Sequence, residues 1–184
     1  AITRRKKAVV RSYISQVAPS ESSMIKRAAY EPLFLKHLRD ECNIKGVKKV
    51  SLHEPLTGLL RVTVVTCEEN MPHTEIWRSL YNAAFFKGDC SKICIAVNED
   101  IDVDNADALL WAISYRSNPV KDIKTFDFRG QGHGPKREHS GEEDSSLLID
   151  ATMKSQMPPL ALPAKQHMQR AMEIWQELGL PKLN

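Results

Sequence analysis

The stretch KICIAVNEDIDVDNADALLW, residues 92–111, decides the fold class. KICIAV (92–97) is an almost wholly apolar run, the composition of a strand covered on both faces. NADALLWAISYR (105–116) carries its apolar residues at helical spacing. Between strand and helix stand Asp100, Asp102 and Asp104, with Asp107 just inside the helix. Acids so placed fit a calcium loop, a catalytic cluster or the start of a helix. A calcium loop needs oxygen ligands at positions 1, 3, 5 and 12 and glycine at 6. Counted from Asp100, position 6 is Asn105 and position 12 is Trp111, so the ligand that closes the shell is missing. The acids instead suit the unpaired N–H groups and the dipole of a helix N-terminus, and the reading is a strand end and a helix cap.

Working outward, the alternating β-branched segment AVVRSYISQV (8–17) predicts a strand. Ser20 or Ser22 is placed to cap a helix over Met24, Ile25, Ala28 and Ala29. Pro32 predicts the first turn of a second helix, about 31–41, with Leu33, Phe34, Leu35 and Leu38 on its apolar side. VKKVSLHE (47–54) and LLRVTVVTC (59–67) read as two strands around Pro55–Gly58. HTEIWRSLYNAAFF (73–86) is helical, with Thr74 a candidate cap. The order of strand, helices, strand, strand, helix, strand, helix predicts an α/β layered domain.

From Ser117 to Ser146 the pattern gives way to Pro, Gly and charge, a length that in a compact domain marks a functional or mobile loop. SLLIDATMK (146–154) regains order, PPLALP (158–163) punctuates a linker, and residues 164–179 predict an amphipathic helix. Its Met168, Ala171, Met172 and Trp175 share one face, which needs a partner surface on this domain or on another subunit.

Composition narrows the class. The chain has 184 residues, 42% hydrophobic and 27% charged, enough to bury a core. No run approaches the roughly 18 apolar residues of a membrane span, so no membrane span is expected and the cytoplasm is the expected compartment. Cys42, Cys67, Cys90 and Cys94 lack a disulfide framework and are expected as thiols. The basic block Arg4–Lys7 has no interleaved aromatic platform, so no nucleic-acid partner is expected.

Other constellations are weak. Cys90 and Cys94 form a CxxxC with neither knuckle spacing nor histidine partners. His133 and His139, in GHGPKREH, lack a third metal ligand nearby. Ser22, His133 and Asp150 supply the residue types of a hydrolase triad without a GxSxG elbow. GxGxxG and GxxxxGK[ST] are absent. The residues alone give an α/β module with one long polar loop and name no reaction.

Several stretches together resemble the C-terminal portion of the UbiD family of decarboxylases. They are ITRRKKAVVRSYISQVAPSE, HEPLTGLLRVTVV, KICIAVNEDIDVDNADALLWAISYRSNPVKD, GHG, and LLIDATMK followed by a helix ending WQELGLP. The strongest piece matches through Ile95, Val97, Glu99, Asp100, Ile101, Asp102, Leu110, Trp111, Ala112, Arg116, Pro119 and Asp122. The resemblance implies a layered C-terminal α/β domain. Residues 1–44 would be the end of a flavin-binding split barrel plus connecting helices, with its last strand at 1–16. Residues 45–157 would be the α/β oligomerisation and pocket-lining domain, and 158–184 a linker and terminal helix.

The same resemblance implies a reversible, non-oxidative decarboxylase of aromatic, heteroaromatic or α,β-unsaturated acids that uses prenylated FMN as electron sink. A flavin prenyltransferase would supply that cofactor, and a homo-oligomer is expected. The family's catalytic arginine and acids lie upstream of ITRR. So does its Asn/His/Glu set for the divalent metal, which with a monovalent cation serves the flavin phosphate. The expectation is therefore a fragment, inactive without the upstream portion. Lys87, across a one-residue gap, matches a lysine that contacts the cofactor phosphate. Ser20, Ser23 and Met24, Cys90 and Lys92, and Thr125, Phe126 and Asp127 match substrate-pocket positions. A pocket-facing Asp127 would favour substrates with a hydrogen-bond donor, and a solvent-facing Asp127 would not. The alternative is a non-catalytic assembly or regulatory subunit of the same fold.

Overall fold

Two neighbouring strands cover the predicted apolar strand, one on each side. The computed structural model describes residues 21–53, 61–87, 90–129, 144–155, 157 and 163–181. The predicted strand at 8–17, Ser20, the Pro55–Gly58 connection, His133, His139 and most of the PPLALP linker lie outside them.

The described elements run α1 (Glu21–Lys36), a π-helical turn (His37–Glu41), β1 (Val47–Leu52), β2 (Val62–Cys67), α2 (His73–Phe86), β3 (Ile93–Asn98), α3 (Ala106–Arg116), β4 (Ile123–Arg129), β5 (Asp144–Asp150) and α4 (Lys165–Glu177). Five strands form one sheet in the order β1-β2-β3-β5-β4. The central strands β2, β3 and β5 are parallel, while β1 and β4 pair antiparallel at the edges. The mixed sheet with helices is the expected α/β class.

Strand alternation sends the core to both faces. Val65, Cys67, Cys94, Ala96 and Leu148 pack with Ile76, Trp77, Leu80 and Ala83 of α2, and with Phe34 of α1 and Leu38 of the π turn. Val64, Ile95, Val97, Ile149 and Ala151 pack on the other face with Leu109 and Ala112 of α3. In β3 every residue from Cys94 to Asn98 is buried.

Three sequence expectations need correction. Pro32 does not start a second helix but sits inside α1, which continues to Lys36. Pro32 and Ala28 are both exposed, so the Ala28 carbonyl that loses its N–H partner faces water, and burial of Phe34 and Leu38 beyond it holds the chain helical. Of the predicted apolar side, Leu33 is 45% exposed. Thr74 does not cap α2, whose N-cap is Pro72, without a side-chain hydrogen bond. The supposed loop 117–146 contains β4 and the start of β5.

The chain divides into two compact units, Ala1–Lys154 and Ser155–Asn184. The second holds α4, which buries no residue and exposes Met168, Met172 and Ile174. Among the described residues no helix is long and apolar enough to cross a membrane, and the four cysteines are free thiols.

Restoring the missing N–H should stabilise α1. Pro32→Ala is expected to raise unfolding free energy by about 1–3 kcal/mol in urea titration. A loss of stability would contradict the exposed, strained placement of Pro32.

Candidate functional site

Of the site residues predicted from sequence, Lys87, Cys90 and Lys92 lie between the last turn of α2 and the amino end of β3, and Phe126 packs on that turn of α2. Lys87 follows α2 directly in extended conformation. Its ammonium rests 5.6 Å from the Tyr30 ring centre and 5.4 Å from that of Phe86, so it bridges α1 and α2 as a cation over two aromatic faces. No carboxylate pairs with it among the described residues. Phe126 of β4 packs edge-on against Phe85, at 4.5 Å, and Tyr81, at 6.1 Å, on the same turn of α2. Topology explains the meeting: β4 runs antiparallel to β5, so its end lies where β5 and β3 begin.

The other predicted residues divide. Lys92 is exposed ahead of β3, and its carbonyl accepts the Leu147 N–H at 2.8 Å. Thr125 and Asp127 are exposed on edge strand β4, so Asp127 faces solvent in this chain. Met24, 55% exposed, lies on α1 about 9 Å along the axis before Tyr30, and Ser23 precedes it. Cys90 is 1% exposed and belongs to the apolar core. The turn beneath it is tightly tied: Ser91 sits at φ 62, its hydroxyl is 2.7 Å from that of Thr63, and its carbonyl accepts from Ser146 Oγ at 3.1 Å.

The acid cluster builds structure in a different manner from the helix cap expected. Asn105, not an aspartate, caps α3, its Oδ1 accepting the N–H groups of Asp107 and Ala108 at 2.9 and 3.3 Å. Asp102 Oδ1 accepts the Asp104 N–H at 3.0 Å. Asp104 receives Arg27 of α1 at 2.8 Å, which holds its carboxyl below the ordinary range. Asp100 receives both terminal nitrogens of Arg116, at 3.0 and 2.5 Å. Arg116 is 2% exposed, and its guanidinium Cζ lies 5.1 Å from the Trp111 ring centre.

Two clusters escaped sequence reading. In the first, His37 Nδ1 is 2.6 Å from Glu41 Oε2, and Cys42 Sγ is 3.4 Å from His37 Nε2. The order resembles a nucleophilic triad, but burial and Glu41 push the Cys42 thiol up, opposite to the shift that activates a thiolate. The second joins His73, Asp122 and Asp150, whose ligand atoms lie within 4.8 Å of one another. Of the on-paper hydrolase triad, Asp150 belongs to this cluster and His133 is outside the described residues.

Residues 23–151 match the family described as the 3-octaprenyl-4-hydroxybenzoate carboxy-lyase C-terminal domain, UbiD_C. No curated protein sequence matches the chain. Among solved structures, one that is similar is the vanillic acid decarboxylase of Sedimentibacter hydroxybenzoicus in its open form, with truncated ShVdcD. It has a TM-score of 0.70 and 17% identity, covering 88% of this chain and 35% of that one. An evolved dimeric form of the UbiD-class enzyme HmfF from Pelotomaculum thermopropionicum, in complex with prFMN, has a TM-score of 0.59 and 20% identity, covering 76% and 28%. The apo 3,4-dihydroxybenzoic acid decarboxylase of Enterobacter cloacae has a TM-score of 0.59 and 15% identity, covering 77% and 32%. The chain thus spans about a third of the length of these enzymes, and at such identities the likeness shows the fold.

The Arg116 environment gives a direct test. Asp100→Ala leaves a buried guanidinium unpaired and is expected to cost about 3 kcal/mol. Asp100→Ala/Arg116→Met removes the stranded charge and is expected to recover most of that loss in urea titration. Because the folded chain holds Asp100 below its ordinary 3.8, chiefly through the Arg116 hydrogen bonds, the pair stabilises fully above that value. The stabilisation is lost as pH falls through the depressed one, and Asp100→Asn should flatten this acid limb. A double variant no more stable than Asp100→Ala would contradict the pairing.

Proposed function

The chain belongs to the UbiD family, as its carboxy-lyase C-terminal domain. From that premise we propose that it is the C-terminal part of a reversible, non-oxidative decarboxylase of aromatic, heteroaromatic or α,β-unsaturated carboxylic acids working with prenylated FMN. In this reading residues 1–44 end the flavin-binding barrel and its connecting helices, 45–157 form the pocket-lining and oligomerisation domain, and 158–184 add a linker and terminal helix. The upstream portion supplies the catalytic arginine and acids together with the divalent and monovalent cations, so this chain is inactive alone. A flavin prenyltransferase supplies the cofactor.

The observation that carries the proposal is the Lys87 ammonium, held over Tyr30 and Phe86, just after the turn of α2 on which Phe126 packs through Phe85. A fixed cation without a carboxylate partner among the described residues suits a phosphate, and Lys87 is the residue of this chain that would hold one. When bound, the modified flavin supplies the electron sink for carbon dioxide loss. The protein's part is to orient the acid and exclude water. Phe126 would form an apolar wall, with Thr125 and Lys92 at its margin, and Ser20, Ser23 and Met24 would be further substrate contacts. Cys90 would act from beneath, fixing the turn between Lys87 and Lys92 through its N–H to the Lys87 carbonyl, at 3.0 Å. The exposed Met168, Met172 and Ile174 of α4 favour a role in assembly as well, with a second copy of the enzyme as partner.

Co-expression with the upstream portion tests the proposal. The expected results are flavin absorbance in the purified complex and carbon dioxide release from aromatic acids. Lys87→Ala is expected to lower flavin retention at least about tenfold, the loss of one charge-assisted phosphate contact, with circular dichroism unchanged. Full retention would overturn the Lys87 assignment, and absence of both flavin and activity from the intact complex would overturn the decarboxylase reading.

A further inference from the structure

At the opposite end of the sheet from Lys87, one element ends and two begin close together. Asp150 is the last residue of β5, Asp122 immediately precedes β4, and His73 opens α2. The carboxyl end of parallel strands, between helices on opposite faces, is where open α/β sheets place ligands.

The wiring of these residues leaves one position electrically incomplete. Asp150 is 0% exposed, yet only its Oδ1 is fully served: it accepts the Thr152 N–H at 3.0 Å, the Thr152 hydroxyl at 2.6 Å and the Lys154 ammonium at 3.0 Å. Its Oδ2 is buried without a hydrogen-bond donor. His73 Nε2 lies 3.5 Å from it. That nitrogen accepts the Trp77 indole N–H at 3.0 Å, so in this arrangement it carries no proton to give Asp150. Two electron-pair donors therefore face each other with nothing positive between them, inside a site where an unsatisfied carboxylate oxygen is costly.

Asp122 adds a third donor. Its Oδ2 accepts the Asn118 N–H at 2.8 Å, while its Oδ1 lies 4.0 Å from Lys154 Nζ, too far for a hydrogen bond. Lys154 balances one of the two carboxylates and one negative charge remains when His73 is neutral. The 3.5 Å between His73 Nε2 and Asp150 Oδ2 is close to the span of about 3.0–3.4 Å between neighbouring ligands of an ion bound at about 2.1 Å. His73 is 60% exposed, which leaves a path from solvent and room for water as a further ligand.

We propose that His73, Asp122 and Asp150 form a binding site for a divalent first-row transition-metal ion, of the class of Zn²⁺ or Mn²⁺. One imidazole and two carboxylates favour such ions over Mg²⁺, which prefers all-oxygen shells and keeps its water. Binding would turn the His73 lone pair from the Trp77 N–H to the metal and give Asp150 Oδ2 its missing partner. The site stands independently of the decarboxylase reading, because it uses none of the residues assigned to flavin or substrate.

The test is calorimetric titration of Zn²⁺, Mn²⁺ and Mg²⁺ into the full 184-residue chain after chelator treatment, with circular dichroism as the control for folding. One saturable site for Zn²⁺ or Mn²⁺ is expected, with Mg²⁺ at least about tenfold weaker. His73→Ala alters an exposed side chain and should lower affinity at least about tenfold while leaving the fold intact; Asp122→Asn should act in the same direction. Metal should also raise the melting temperature of the parent chain but not of His73→Ala. No saturable binding, full affinity in His73→Ala, or loss of binding in His133→Ala/His139→Ala with His73→Ala unaffected would each overturn the site.

Discussion

Arg116 is 2% exposed and has lost almost all of its water, which the fold around β3 replaces at the two terminal nitrogens while Nε stays without a hydrogen-bond partner. Arg116, in the last turn of α3, returns to Asp100 in the turn that leaves β3, and the two terminal nitrogens meet the two carboxylate oxygens. The pair closes the β3–α3 connection into a loop of fixed shape. Leu109 and Ala112, on the same helix face as Arg116, are thereby laid on Val97 and Ile149. Desolvation of such an ion costs several kcal/mol, so the pair contributes more to specifying one arrangement than to net stability. Asp104 extends the effect to α1 through Arg27, so the loop after β3 positions helices from both sides of the chain.

With that frame fixed, the two ends of the central strands acquire different chemistry. The amino end is aromatic and cationic, built from Lys87, Phe85, Phe126 and Tyr30. The carboxyl end is acidic and tightly hydrogen-bonded: Asp150, Asp122, Lys154 and Ser117 tie β5 to the turn before β4. The parallel central strands make this division natural, since β2, β3 and β5 all run in one direction.

Much of this architecture was legible in the sequence. KICIAV reads as a buried strand because both faces are apolar, and α2 and α3 read as helices because their apolar residues recur on one side. β4 was missed because IKTFDFR alternates poorly: as an edge strand with a register shift near Phe126, it half-buries only Ile123 and Phe126 among its described inward positions. Pro32 is a local helix breaker, but the burial of Phe34 and Leu38 carries the helix through it. The acids misled by proximity to α3, since a helix start and an ion pair to Arg116 demand the same residue type. His73, Asp122 and Asp150 share no sequence spacing, so only the topology of the sheet brings them together.

The proposed function would set a flavin phosphate near Lys87, and an experimental structure of the chain joined to its upstream portion with prenylated FMN bound tests that most directly. The account predicts Lys87 Nζ within hydrogen-bond distance of a phosphate oxygen, with Phe126 on the substrate side of the flavin. A Lys87 side chain directed away from the cofactor, with the carboxyl end of β3 and β5 facing the flavin instead, would contradict it.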